Sequence, residues 1–349
     1  MTWIIAANTF NGATCAADVQ ATFPYKDPTR QPKYFDCVRK LHNIWKNAYL
    51  AFSGDIRIGL LIIADLKRAC AVWYAPEENF SLEDGNLRVL QAWLARAYRN
   101  YAGAESPELQ FMFLWNYQEG GDLSWTTGIG RFFWPDFRFS GTGRMQLDQC
   151  GSGLRSQDFR VLSEFLQGRR NVNDQAYERM FGRVEPSNVF TAKKVRNLLV
   201  REAARISFAG VSQSFTSVLM VEPTSVGWNE ETDLPMLVQM LKKLGVQIDE
   251  RKTRADVLRT FALDFSTVNL RVQQLLQIYP QQFREMSVAF TKFSLLTADR
   301  NWAAPHTIDE AVHHEDESSR RLKLCDTWEE VRAFMIARGM PPHAASAVA

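Results

Sequence analysis

The chain has 349 residues, 46% of them hydrophobic and 23% charged, with a formal net charge of +2. These are the proportions of an ordinary globular protein of one large domain or two, and so small a charge argues against a dedicated nucleic-acid surface, which is normally basic. A membrane span needs ~20 apolar residues; Ile56–Leu66 is shorter than that and carries Arg57 and Asp65.

Five cysteines (Cys15, Cys37, Cys70, Cys150 and Cys325) are odd in number and lack C-x-x-C spacing, and no signal peptide precedes Thr2. The expectation is a reducing, cytoplasmic location, with Cys15 and Cys70 as small core residues. His42 is the one histidine before position 300, so neither a metal site nor a cofactor is expected. His313-His314, beside Glu315-Asp316-Glu317, reads as a disordered loop rather than a ligand pair.

At the start of the chain, Thr2 follows Met1 directly. Removal of Met1 would leave a hydroxyl and a free α-amine on one residue. An α-amine titrates at about 7.7–8.0, so part of it is neutral near pH 7 and can take the hydroxyl proton. A hydroxyl activated in this way is a recognised nucleophile for covalent acyl transfer.

Thr2–Asn8 reads as a strand, and Asn11-Gly12 is a strong hairpin signal. A second strand runs from Thr14 through Asp18 to Thr22. The hairpin carries its end back towards Thr2, so Asp18 can lie near Thr2 although 16 positions separate them. Lys33 falls in the following loop and is expected to face solvent. The run Val38–Ile44 and the apolar strand Tyr49–Phe52 come next, ending in Ser53-Gly54-Asp55. Ile56–Trp73 and Asn86–Tyr101 have helical periodicity. Leu109–Tyr117, Leu123–Phe133 and Phe137–Ser140 read as strands, the last two as part of a second sheet. Gln157–Gln167 and Phe190–Ile206 read as helices and Ser212–Val221 as a strand.

Taken singly, Asp18 fits a turn residue, Lys40 a solvated strand end and Gly54 a helix-capping glycine. Their order and spacing fit together differently. Thr2, the run Asp18-Val19-Gln20-Ala21-Thr22, Lys40-Leu41 and Ser53-Gly54, with 14 positions from Lys40 to Gly54, resemble the N-terminal part of proteasome β-subunits and of HslV-like N-terminal-nucleophile (Ntn) threonine peptidases. The resemblance covers roughly residues 2–222. It implies an α+β fold, a four-layer αββα sandwich, which the order of strands and helices also suggests.

The same resemblance implies catalytic roles. Thr2 is the nucleophile, Lys40 an ammonium that eases its deprotonation, Asp18 the partner of Lys40, and Gly54 an oxyanion donor. Thr142, in Gly141-Thr142-Gly143, stands where the family has a Gly-Ser-Gly turn that orients the amine. Ala21, Val38, His42, Phe52 and Ile56 would line a mostly apolar substrate pocket, or simply pack the core. The family's second Asp-x-x-Ser-Gly element has no aspartate here: the corresponding stretch is Ile206-Ser207-Phe208-Ala209-Gly210-Val211, and Ser207 or Ser212 is left to contribute a hydroxyl.

Past Pro223 the sequence reads as helices at 234–244, 254–263, 266–278 and 281–295, with no recurring strand pattern. The expectation is a proteasome-like domain over 2–222, an all-helical extension over 224–335 and a mobile tail over 336–349. The resemblance implies a threonine-type endopeptidase acting on peptide or protein substrates. It would be a homo-oligomer, a ring or helical stack built on apolar faces bearing Leu60, Leu61, Ile63, Leu87, Leu90 and Leu94, with an unfoldase or adaptor as partner and no nucleic-acid or membrane partner. Two alternatives stand beside it: a stand-alone Ntn amidohydrolase acting on a small amide, and a catalytically inactive assembly subunit.

Overall fold

The computed structural model describes residues 2–9, 12–23, 33–76, 78, 80, 84–104, 106–118, 125–143, 146–151, 192–205, 211–221, 230–243, 245, 289, 307–314 and 323–339. In chain order the strands are β1 (Trp3–Thr9), β2 (Gly12–Asp18), β3 (Gln20–Phe23), β4 (Lys33–Asp36), β5 (Leu41–Trp45), β6 (Ala48–Gly54), β7 (Leu109–Gln118), β8 (Trp125–Phe133), β9 (Arg138–Gly141), β10 (Gln146–Gly151), β11 (Phe215–Val221) and β12 (Thr307–His313). The helices are α1 (Ile56–Trp73), α2 (Asp84–Ala102), α3 (Ala192–Arg205), α4 (Glu230–Lys243) and α5 (Trp328–Ala337).

Two five-stranded antiparallel sheets carry the fold. The first has the order β10-β1-β2-β11-β12 and the second β5-β6-β7-β8-β9, while β3 and β4 form a separate ribbon. Strand periodicity explains how they stack, because successive side chains point to opposite faces. On β6, Tyr49 and Ala51 join Ile4, Ala6, Cys15 and Ala17 of the first sheet in one apolar layer between the sheets. The alternate residues Leu50 and Phe52 face Ile58, Ile62, Leu66, Leu90 and Leu94 of α1 and α2. On the other side, α3 packs against β1, β2 and β11. The result is a mixed α/β fold of antiparallel sheets flanked by helices. Covered on both faces, β1 is buried along all of its length.

Local chemistry sets the element ends. The Asp55 carboxylate accepts the Ile58 N–H at 2.7 Å and caps α1, satisfying a donor that the first turn leaves open. The first hairpin closes with Thr9 opposite Gly12. Gly12 has φ +151°, and a Cβ there would sit 2.0 Å from Met220 O on β11, so only glycine allows β2 and β11 to approach this closely.

Several expectations change. Lys33 is exposed as anticipated, but it opens β4 rather than lying in a loop. An unanticipated strand, β10, pairs with β1. The region past Pro223 is not all-helical: β12 pairs with β11 as the edge of the first sheet, Phe215 opposite His313. His313 is thus a strand residue rather than part of a disordered loop, with Nε2 2.7 Å from Ser217 Oγ. Helix α5 sends Val331 and Met335 into the core beside α1 and α2. These C-terminal elements were illegible because their apolar residues are matched by surfaces far away in sequence. The anticipated helix at 234–244 corresponds to α4. Those at 157–167, 254–263, 266–278 and, Ala289 apart, 281–295, and the tail beyond 339, lie outside the described residues.

The leucine faces expected to meet other subunits are largely used within the chain. Leu60, Ile63, Leu90 and Leu94 are buried in its own core, while Val72, Trp73 and Val89 are exposed. Among the described residues, all five cysteines are free and buried, no helix is long and apolar enough to cross a membrane, and no group of three or more metal-ligating side chains occurs.

Candidate functional site

Three separate segments meet at the start of β1. Thr2 is buried there, with 4% of its surface exposed. Because β1 and β2 are antiparallel, with Ile4 opposite Ala17, the last residue of β2 returns to the first residues of β1. Asp18 Oδ1 accepts the Trp3 N–H at 2.9 Å. The same oxygen accepts the Lys40 ammonium at 2.8 Å, and neither charged side chain exposes any surface. Lys40 stands just before β5, and its carbonyl accepts the Phe52 N–H at 3.1 Å, which ties it to the β6 strand that ends at Gly54.

The second carboxylate oxygen of Asp18 accepts the backbone N–H groups of Gln20, at 3.3 Å, and Ser212, at 3.4 Å. Among the described residues, donors and no acceptors thus surround Asp18, the set an ionised carboxylate takes. A buried ion pair repays its desolvation only when its remaining lone pairs are satisfied in this way. The pair is tied through Asp18 to the N–H of Trp3, the residue that follows Thr2 at the strand end.

The β10 strand completes this corner. Its last residue, Gly151, lies opposite Trp3 with φ +93°. A Cβ on Gly151 would lie 1.9 Å from Thr2 O and 3.5 Å from Ser53 Cβ. Gly151 is therefore where Thr2 and Ser53, near the end of β6, come together, and a side chain at Gly151 would separate them. Gly54 is exposed at the end of β6, with φ +119° and no room for a Cβ, which would sit 2.1 Å from Glu108 O. The helix cap beyond it is Asp55, so Gly54 is not itself the capping residue.

Nearby thiols offer no rival nucleophile. Burial pushes the Cys150 thiol up to about 12 and the Cys15 thiol well above its ordinary value, so both stay protonated and weakly reactive.

Thr142 is not brought to this corner. Its carbonyl accepts from Asn8 Nδ2 at 3.3 Å and its hydroxyl donates to Asp148 at 3.0 Å. Asn8 is six residues along β1 from Thr2, roughly 20 Å at the rise of an extended strand. The sequence contains a literal Gly151-Ser152-Gly153, and this signal was missed in favour of Gly141-Thr142-Gly143. Register decides between them, because Gly151 faces Trp3 whereas residues 141–143 lie at the opposite end of the strand. Ser152 lies outside the described residues.

Four of the five expected pocket residues are packed away. Ala21, Val38, His42 and Phe52 are each no more than 1% exposed, and Ile56 is partly buried. Val38 makes a parallel bridge to Cys325. The Cys325 N–H donates to Cys37 O at 2.7 Å and the Arg39 N–H to Cys325 O at 3.0 Å. The C-terminal segment leading to α5 thus lies along this edge, where Arg39 also pairs with Asp326 at 2.5 Å. His42 stacks on Phe52, with ring centroids 6.3 Å apart. Its Nε2 lies 2.7 Å from Arg39 O; a carbonyl can only accept, so Nε2 carries the hydrogen. Burial lowers its pKa to about 3, which keeps the ring neutral.

Comparison with known proteins gives a likeness of fold. No family model matches the chain, and no curated protein does. Among solved structures, it is similar to Anbu (ancestral beta-subunit) from Yersinia bercovieri, at 14% identity and a TM-score of 0.40, over 63% of this chain and 82% of that one. It is also similar to a Gly-1 mutant of Anbu from Hyphomicrobium sp. strain MC1, at 14% identity and a TM-score of 0.39, over 64% and 83% of the two chains. Likeness at this level assigns no role to any residue.

Proposed function

We propose that the chain is an amide hydrolase of the N-terminal-nucleophile type, with Thr2 as nucleophile once Met1 is removed. The observation that carries this reading is the shared oxygen of Asp18, which holds the Lys40 ammonium and the Trp3 N–H together in a fully buried site next to Thr2.

In this reading the Thr2 amine takes the hydroxyl proton as Oγ attacks the amide carbonyl. The Lys40 charge stabilises the developing alkoxide, and Asp18 keeps Lys40 in place. The backbone N–H of Gly54 faces the oxyanion; such a donor is typically worth about 10²–10³ in rate. The protonated amine then gives its proton to the departing amine, leaving an ester on Thr2. Water, deprotonated by the same amine, cleaves that ester and restores the hydroxyl.

The substrate we propose is a small amide. The burial of Ala21, Val38, His42 and Phe52, with residues 324 and 325 packed along that edge, favours it over a long peptide that needs an open side-chain pocket. Peptide cleavage within a ring is the second reading, and the order Thr2, Asp18, Lys40, Gly54 favours it. A chain that hydrolyses coumarin amides as a 40 kDa species in light scattering supports the first reading; peptide cleavage confined to a large assembly supports the second.

Intact-mass measurement after treatment with an epoxyketone probe tests the nucleophile. The expected product lacks Met1 and carries one adduct, which Thr2→Ala abolishes. Retention of Met1 in most molecules, or an unchanged adduct in Thr2→Ala, overturns the assignment and leaves the inactive assembly subunit as the reading.

A further inference from the structure

The stretch Ile206–Val211 contains no acid, yet the loop that follows it is held by one. Ser212 is buried, and its Oγ donates to Asp36 Oδ2 at 2.7 Å. The same Oγ accepts the Ser214 N–H at 2.8 Å. A carboxylate and a backbone amide on either side leave the hydroxyl one orientation, with its hydrogen on Asp36. Asp36 ends β4 opposite Gln20, whose side-chain amide donates to Asp36 Oδ1 at 3.4 Å. The loop is pinned again where the Val19 N–H donates to Ser214 O at 3.3 Å. Held in this way, Ser212 presents its own N–H to Asp18 Oδ2, while the other oxygen of Asp18 carries Trp3 and Lys40.

We infer that Asp36 is a positioning residue for Thr2, acting through Ser212 and Asp18. The inference rests on the Thr2 reading above. Removing the Asp36 carboxylate frees the Ser212 hydroxyl, the loop keeps only its Val19–Ser214 anchor, and the Ser212 N–H shifts away from Asp18. The Asp18 carboxylate is then held on that side by the Gln20 N–H alone, and its alignment with the Trp3 N–H and the Lys40 ammonium on its other oxygen loosens. The cost falls on alignment at Thr2 rather than on substrate affinity. Misalignments of this size by groups remote from the chemistry lower rates by roughly 10²-fold.

The test is the rate of epoxyketone adduct formation at Thr2, separated into its maximal rate and its half-saturating concentration, in D36A, D36N, S212A and D36A/S212A. D36A and S212A should each lower the maximal rate by roughly 10²-fold at an unchanged half-saturating concentration. D36N should recover most of the rate, because its amide oxygen accepts the same hydroxyl. The double variant should be no slower than either single one, since the two residues act in one chain of contacts. A merely structural role predicts additive losses that follow thermal stability and are not rescued by asparagine. An unchanged maximal rate in D36A, in a chain whose Thr2 is labelled, overturns the Asp36 role alone. Absence of labelling in the unsubstituted chain overturns the Thr2 reading and this role with it. Should D36A fail to fold, a D36N variant as slow as S212A overturns the role, and a near-native one supports it.

Discussion

The Lys40 ammonium lies 2.8 Å from Asp18 Oδ1, with both side chains fully buried. Neither charge has water to fall back on, so each depends on the other. Lys40→Ala should therefore destabilise the protein by about 3–5 kcal/mol, the usual cost of leaving one buried charge unpaired. It should also abolish adduct formation at Thr2. Chemical denaturation and intact mass read the two effects separately, and a fully stable Lys40→Ala chain would contradict the buried pair.

Gly151→Ala should disable the site without removing any polar group from it. The backbone has φ +93°, and the new methyl would meet Thr2 O at 1.9 Å. The strand end must move, and Thr2 with it. The expected outcome is a folded protein by circular dichroism with little or no labelling of Thr2; labelling at the native rate would contradict the close approach.

Thr142→Ala is the matching control. Its hydroxyl bonds to Asp148 and its carbonyl to Asn8, far along β1 from Thr2. Labelling of Thr2 should be unchanged, and a large loss of rate would restore Thr142 to the site.

Stability should fall with acid through His42. Its folded pKa of about 3 lies below the ordinary 6.5, with burial as the main cause. The unfolded chain therefore takes up a proton first. The stability this neutral ring preserves is fully present above about pH 6.5 and is lost as pH falls towards 3. By pH 5 the loss attributable to His42 is about 2 kcal/mol. Urea unfolding at pH 7.5 and pH 5 should show that part of the acid sensitivity disappearing in His42→Gln. Equal pH dependence in both proteins would contradict it.

The C-terminal helix should behave as core. Met335 is 2% exposed within the same cluster as α1 and α2, so Met335→Ala should cost about 2–5 kcal/mol. Truncation near residue 224, which removes both β12 and α5, should leave no cooperative thermal transition. A truncated chain that melts as sharply as the full one would show these elements to be dispensable.

Much of this protein is legible from local sequence. A continuous apolar run followed by Asn11-Gly12 marks the first hairpin, and the return of β2 brings Asp18 close to Thr2. An apolar helical stripe defines α1, and the order of Thr2, Asp18 and Lys40 marks the corner where three segments meet. These features depend on neighbours a few residues apart, or on one hairpin. The choice of Gly151 over residues 141–143, the strand at 307–313, the burial of Ala21 and Val38 beside Cys325, and the link from Asp36 through Ser212 to Asp18 depend on tertiary structure. In each, the partners come from distant parts of the chain, and what selects them is strand register and the need to bury both faces of a sheet. Neither leaves a periodic trace in the residues that take part.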